Sequence, residues 1–239
     1  MRCRSAVAGA VALLLAGAAE ATELDRNRER DMVDRDKRAV YELAFDELRR
    51  LEPERIRAED GRVIRRAAEL ELALANNRRT FFRNDESRCL EGIIPSRDDS
   101  CVEFFFVGHP HPRFYLLRAH YYEGSDYRLL DVTSGHVTRL AAEPHFSPNG
   151  ERVIAVSAAE TYDPTGIEIW STVGPSTALE WKHEAKAYAL YSFVRWDGND
   201  SVLLEVKTYV DRELRQVPAR LSVGANGWML RGPVESSQY

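Results

Sequence analysis

The chain has 239 residues, of which 44% are hydrophobic and 30% are charged. This composition is typical of a soluble globular protein and excludes the disordered, collagen-like and membrane-embedded classes. The formal net charge is -5, from 33 Lys and Arg against 38 Asp and Glu. It argues against a nucleic-acid-binding protein, because such proteins need a concentrated basic face.

Residues 1–21 have the parts of a secretory signal peptide. Arg2 and Arg4 form a basic start, an apolar run follows, and Ala19-Glu20-Ala21 matches a small-x-small cleavage site. The apolar run is shorter than the roughly 20 residues that a membrane-spanning helix needs. We therefore expect a mature protein that begins at Thr22, has no membrane span and is periplasmic or secreted.

The chain has three cysteines, and cleavage of the signal peptide would remove Cys3. The remaining pair, Cys89 and Cys101, predicts a disulfide in an exported protein. A reduced pair or a metal site is the alternative, but two thiols at this spacing without a nearby His make a poor zinc signature.

Residues 22–66 contain 13 acidic and 13 basic side chains, which indicates a solvated, charged helical segment. Apolar residues recur at helical spacing from Val40 to Leu51. We expect this helix to end at Pro53, because a proline disfavours the helical conformation of the residue before it. We also expect it to cover one edge of the following domain; docking on a partner is the alternative.

Residues 67–239 read as a β-rich domain. Leu70, Leu72 and Leu74 alternate with other residues, as in a half-buried strand, and Asn76-Asn77 suits a tight turn. Further short strands with turn signals at close spacing continue this pattern to the end of the chain.

Two segments of the β-rich domain resemble each other at a distance of 50 residues. Phe146 precedes a polar turn with Gly150 and then an apolar strand, and Trp196 precedes a similar turn with Gly198. A repeat of this length predicts four-stranded sheets packed side by side. The aromatic residues are expected on the first strand of each sheet, with the glycines in the turns to the second strand.

A local resemblance to a known family covers residues 127–156. Asp131 to Gly135 reads Asp-Val-Thr-Ser-Gly, and Pro144 to Gly150 reads Pro-His-Phe-Ser-Pro-Asn-Gly. These residues resemble the blade signature of WD40-like (TolB-type) β-propeller repeats, with Asn149 in place of the usual Asp. The resemblance implies a propeller-like fold and a role in envelope protein complexes.

The fold class that follows is mainly β: a small or incomplete propeller-like array of antiparallel sheets, preceded by an N-terminal α-helix. The chain from Glu69 to Tyr239 has room for about four blades of 40–45 residues, fewer than such propellers usually have.

No phosphate-binding loop, nucleophile elbow or dinucleotide fingerprint occurs in the chain, and we predict no cofactor. Two groups are the candidate ligand-binding residues. The first comprises His109 and His111; they could bind a transition metal if they shared a strand face, but the neighbouring prolines predict a surface loop. The second group comprises Tyr121, Tyr122, Glu123 and Asp126. These residues could present aromatic and acidic groups to a ligand, or form a plain hairpin turn.

These observations favour a non-enzymatic, exported scaffold that binds an envelope or secreted protein. The alternative is a hydrolase, or a metal- or small-ligand-binding protein, with a site near His109, His111, Tyr122 and Glu123.

Overall fold

The computed structural model describes residues 45–85, 102–121, 124–158, 166–185, 189–210 and 213–232. The predicted signal peptide and both residues of the predicted disulfide, Cys89 and Cys101, lie outside these ranges. The chain divides into two units, residues 1–51 and 52–239. The described part of the first unit, residues 45–51, is helical, and the sheets belong to the second unit.

The described part of the helix, α1, covers residues 45–58. The expected end at Pro53 is wrong, because α1 continues for five residues beyond it. The reason is tertiary: the Glu52 carboxylate accepts hydrogen bonds from the Phe106 backbone N–H at 2.7 Å and from Arg65 at 2.6 Å. These contacts hold Glu52 in the helical conformation that Pro53 disfavours. Within the second unit, this end of α1 contacts the sheets through Glu52, and Ile56 packs against a buried apolar cluster.

In the described part of the chain, fifteen strands form four antiparallel sheets, and within each sheet every strand pairs with the next one in the chain. Sheet A comprises β1 (Val63–Arg66), β2 (Glu69–Ala73) and β3 (Arg79–Arg83). Sheet B comprises β4 (Val102–His111), β5 (Phe114–Tyr121), β6 (Gly124–Asp131) and β7 (Val137–Leu140). Sheet C comprises β8 (Pro144–Phe146), β9 (Arg152–Ser157), β10 (Gly166–Ser171) and β11 (Ala178–Glu184). Sheet D comprises β12 (Leu190–Trp196), β13 (Ser201–Val210), β14 (Glu213–Gly224) and β15 (Gly227–Arg231).

Strand β1 lies inside the segment that we expected to be helical. It has four residues, two of which are arginines, so it shows too little alternation to be recognised from the sequence. Its register with β2 places Val63 opposite the buried Leu72. The pairing partner therefore determines this strand.

The structure confirms the predicted turns. Asn76 and Asn77 have φ angles of 59° and 60°, in the left-handed region that Asn tolerates. Gly150 and Gly198 have φ angles of 71° and 76° and follow the first strands of sheets C and D. Phe146 and Trp196 end those first strands, as the repeat predicted.

The described sheets pack face to face in chain order through three apolar clusters. Val63, Leu70 and Leu72 of sheet A pack with residues of sheet B that include Leu117. The opposite face of sheet B, which includes Leu116, packs on sheet C. Sheet C in turn packs on sheet D. Sheets B and C are therefore buried on both faces, which explains their continuous apolar runs.

In sheet D, buried and exposed side chains alternate along the strand instead. Residues 202, 204, 206 and 208 of β13 are buried, whereas Glu205 and Lys207 between them are exposed. One face of sheet D forms core and the other does not, so sheet D ends the described row of sheets. The fold is an incomplete, propeller-like array that is not closed into a barrel.

Side chains link neighbouring sheets at the ends of their strands. Arg113 donates to the Asp131 carboxylate within sheet B at 2.9 Å, and to the Thr172 carbonyl oxygen next to sheet C at 2.5 Å. Between sheets C and D, Arg152 pairs with Asp200 at 2.6 Å. These contacts stabilise the relative orientation of adjacent sheets.

Candidate interaction surface

Sheet D presents one complete face away from the core. The cross-strand register places Leu203 opposite both Arg195 and Arg220, and it places Met229 opposite Ser222. Residues directly opposite one another project from the same face. We call this surface the D face. It comprises Leu190, Ser192, Arg195, Ser201, Leu203, Glu205, Lys207, Tyr209, Leu214, Gln216, Pro218, Arg220, Ser222, Met229 and Arg231.

Large apolar side chains of the D face are exposed. Leu214 is 50% exposed and Met229 is 42% exposed, although both belong to regular strands. Single exposed apolar residues are common on protein surfaces. Here they lie on one sheet face whose opposite side forms the core, which is an arrangement that a second molecule can cover.

The charge of the D face is opposite in sign to that of the whole chain. It carries four basic residues and one acidic residue, whereas the chain has a net charge of -5. Arg220 pairs with Asp197 at 2.7 Å, and Arg195 lies 3.9 Å from the same carboxylate. Within the described residues, no ion pair involves Lys207 or Arg231.

Like His111, the first predicted site residue, His109, is part of β4 rather than of the predicted loop. Its Nδ1 lies 3.4 Å from the Glu59 carboxylate and 3.5 Å from Arg62, and its ring tilts against Tyr115 with centroids 4.6 Å apart. Its Nε2 lies 3.3 Å from the Pro112 carbonyl oxygen. These contacts fix the ring against the residues that follow α1.

His111 has different neighbours. Its ring stacks on Phe146 of sheet C at 5.1 Å, and its Nδ1 accepts the Arg113 backbone N–H at 3.2 Å. Burial, followed by electrostatic interactions with Arg113 and His109, lowers the pKa of His111. A neutral imidazole with Nδ1 as acceptor carries its proton on Nε2.

A register shift between Gly108 and His111 separates the two histidines. In a regular strand, residues two apart share a face, but here the two rings contact different groups. Among the described residues, no group of three or more His, Cys, Asp or Glu side chains could hold a metal ion.

Tyr121 and Asp126 form a second cluster. The Tyr121 hydroxyl donates to Asp126 at 3.1 Å, and Arg128 donates to the same hydroxyl. Asp126 is buried and pairs with Arg128 at 3.3 Å and with Arg139. Burial raises the pKa of Tyr121 to about 12, with a further contribution from the Asp126 charge. Burial also raises the pKa of Asp126, although both arginines oppose the shift.

The two clusters lie at opposite ends of sheet B. Strand β5 separates them, with Phe114 opposite His111 at one end and Tyr121 at the other. Its eight residues span about 23 Å at 3.3 Å per residue. Tyr122 and Glu123 lie outside the described residues. The described candidates, His109, His111, Tyr121 and Asp126, therefore do not form one site, and their contacts stabilise the fold.

The D face was not predicted from the sequence as a candidate interaction surface. The signal was present in β13, where apolar residues alternate with Glu205 and Lys207. Alternation identifies the strand but not which of its faces meets another sheet. The arginines of the face are far apart in the sequence, and only the strand register brings them together.

No protein-family model and no curated protein matches this chain. Within the described residues, no helix has the length and apolar character needed to cross a membrane.

Proposed function

We propose that this protein is a non-enzymatic, exported scaffold that binds a second protein through the D face. One observation carries the proposal: one face of sheet D combines exposed apolar and basic side chains on the solvent side, while its other side forms core. Small-molecule sites are concave and largely enclosed, whereas a sheet face suits a macromolecule.

The charge of the D face favours a different protein over a second copy of this chain. Two copies paired face to face would bring eight basic and two acidic side chains together, because each face has four basic residues and one acidic residue. Like charges juxtaposed at an interface are unfavourable. A partner with acidic and apolar side chains complements the face.

Site-specific photocrosslinking tests this function. A photoreactive amino acid is placed at Met229 on the D face, and a matched control is placed at Leu179, which is 48% exposed on β11 of sheet C. In host extract, we expect the Met229 position to form an adduct with a different protein and the Leu179 position to form none. An adduct of two copies of this chain, equal labelling at both positions, or no adduct at all would overturn the proposal.

We also propose that residues 1–21 direct export of the scaffold and are removed by cleavage after Ala21. The support is the basic start, apolar run and cleavage motif of residues 1–21. N-terminal sequencing of the protein isolated from its host should begin at Thr22. A chain that retains Met1 would overturn this part of the proposal.

A further inference from the structure

Three arginines of the D face lie on one cross-strand row. Leu203 on β13 pairs with Arg195 on β12 and with Arg220 on β14, and Arg220 pairs with Arg231 on β15. Adjacent strands are about 4.8 Å apart, so the row extends for about 14 Å across all four strands. We call these three side chains the arginine row.

The arginine row is exposed and only partly neutralised. The Arg195 and Arg220 side chains are 64% and 47% exposed. Asp197 pairs closely with Arg220, at 2.7 Å, but lies 3.9 Å from Arg195. Among the described residues, Asp197 is therefore the one carboxylate that pairs with the row, and it pairs with Arg195 and Arg220 but not with Arg231.

Like charges directly opposite one another across two strands destabilise a sheet. Arg220 and Arg231 are such a pair. A carboxylate between them would remove the repulsion and accept charge-assisted hydrogen bonds from planar guanidinium groups, which match its geometry. The row thus has an electrostatic cost in the free protein that a bound acid would offset.

We propose that the arginine row is a carboxylate-binding site for an acidic segment of the partner protein. This inference rests on the proposed function and adds the chemistry of the partner. Arg195 and Arg220 are separated by one strand, or about 10 Å, so the row accommodates at least two carboxylates of one segment. Leu203 within the row and Met229, two residues from Arg231 on β15, provide apolar contacts.

The test measures binding of a fluorescent oligoglutamate peptide to the full chain by anisotropy. We expect binding that weakens as salt is raised, because exposed charges are screened. Arg231→Glu should weaken it about tenfold or more, the effect of losing a charge-assisted hydrogen bond and adding repulsion. Arg215→Glu is the matched control, since Arg215 lies on β14 outside the D face and pairs with Glu213 at 2.7 Å; it should bind as the wild type does.

Folding is checked separately by thermal unfolding. Arg231→Glu places opposite charges across from Arg220, so its midpoint should equal or exceed that of the wild type. An oligolysine peptide that binds equally well, or equal weakening by Arg231→Glu and Arg215→Glu, would overturn the inference. Binding to anionic phosphatidylglycerol vesicles without binding to oligoglutamate would also overturn it, in favour of a lipid headgroup.

Failure of the carboxylate site can be distinguished from failure of the proposed function. If the Met229 photocrosslink to a different protein forms unchanged in Arg231→Glu, the scaffold function stands and the carboxylate site fails. If no crosslink forms but oligoglutamate binding depends on Arg231, the carboxylate site stands and the protein partner fails.

Discussion

The indole N–H of Trp196 donates a hydrogen bond to the backbone carbonyl oxygen of His145 at 3.0 Å. Trp196 ends the first strand of sheet D, and His145 lies in the first strand of sheet C. The bond joins neighbouring sheets at the positions where the sequence repeats, next to the stacked rings of His145 and Phe193. The repeated aromatic residue therefore links one sheet to the preceding one.

Replacing this indole should weaken the contact between sheets C and D. Trp196→Phe loses the hydrogen bond and should lower the free energy of unfolding by about 1 kcal/mol. Trp196→Ala also removes the packing of this half-buried indole and should lower it by more than Trp196→Phe does, though by less than the about 3–5 kcal/mol typical of a fully buried Trp. Urea unfolding measures both. Trp170→Phe is the control, because the Trp170 indole bonds Glu168 within the same strand; an equal loss in Trp170→Phe and Trp196→Phe would contradict the inter-sheet role.

Gly150 and Gly198 are a matched pair of positions. They separate two costs of adding a side chain: backbone strain and steric overlap. Both have positive φ angles, so alanine at either position is strained by about 1–2 kcal/mol. A Cβ at Gly150 would also lie 2.6 Å from the His111 ring, whereas a Cβ at Gly198 meets nothing within 4 Å. Gly150→Ala should therefore lower the unfolding midpoint more than Gly198→Ala. The difference should disappear in a His111→Ala background, and its persistence there would show that the ring is not the cause.

Arg113 stabilises the charged form of the Asp131 carboxyl group. Burial by itself would raise the pKa of Asp131, but hydrogen bonds from Arg113 and the turn residues Thr133 and Ser134 lower it overall. Removing one partner of a buried pair costs about 3–5 kcal/mol, so Arg113→Met should be strongly destabilising. Adding Asp131→Asn should recover part of the loss, as measured by chemical denaturation.

The same pair predicts a pH dependence. Because the folded pKa of Asp131 is below its unfolded value of about 3.9, its stabilising contribution is complete above that value and is lost as the pH falls through the folded pKa. Wild-type stability should therefore fall more steeply below about pH 4 than that of Asp131→Asn. Parallel acid profiles would contradict the assignment.

Tyr121 should remain protonated in strongly alkaline solution. Its folded pKa of about 12 exceeds the unfolded value of about 10. The stability that it contributes is therefore complete below about pH 10 and is lost as the pH rises through about 12. The phenolate absorbance of the wild type minus that of Tyr121→Phe should have its midpoint near 12. In guanidinium chloride the midpoint should return to about 10; a folded-state midpoint already near that value would refute the buried cluster.

Much of the fold was predictable because it is local. The alternation around Leu70, the turn at Asn76-Asn77 and the repeated turns at Gly150 and Gly198 all depend on residues close together in the chain. Strand β1 and the continuation of α1 past Pro53 were not predictable. Strand β1 depends on its pairing with Leu72 of β2, and the continuation of α1 depends on the contacts of Glu52 with distant residues.

The candidate site was less predictable than the fold. His109 and His111 are neighbours in sequence, but a register shift in β4 gives their rings different partners. Tyr121 and Asp126 do meet, because the antiparallel pairing of β5 with β6 keeps them close. The arginine row joins residues from three strands, and no local pattern indicates it.

The sequence by itself determined that this is a chain of short antiparallel strands, because period-two alternation and turn residues act over a few residues. The tertiary structure decided that sheets B and C are covered on both faces while sheet D keeps one face exposed, because burial depends on which sheet packs against which. It also decided that Arg195, Arg220 and Arg231 lie side by side, since strand register is set by packing and not by proximity in the chain.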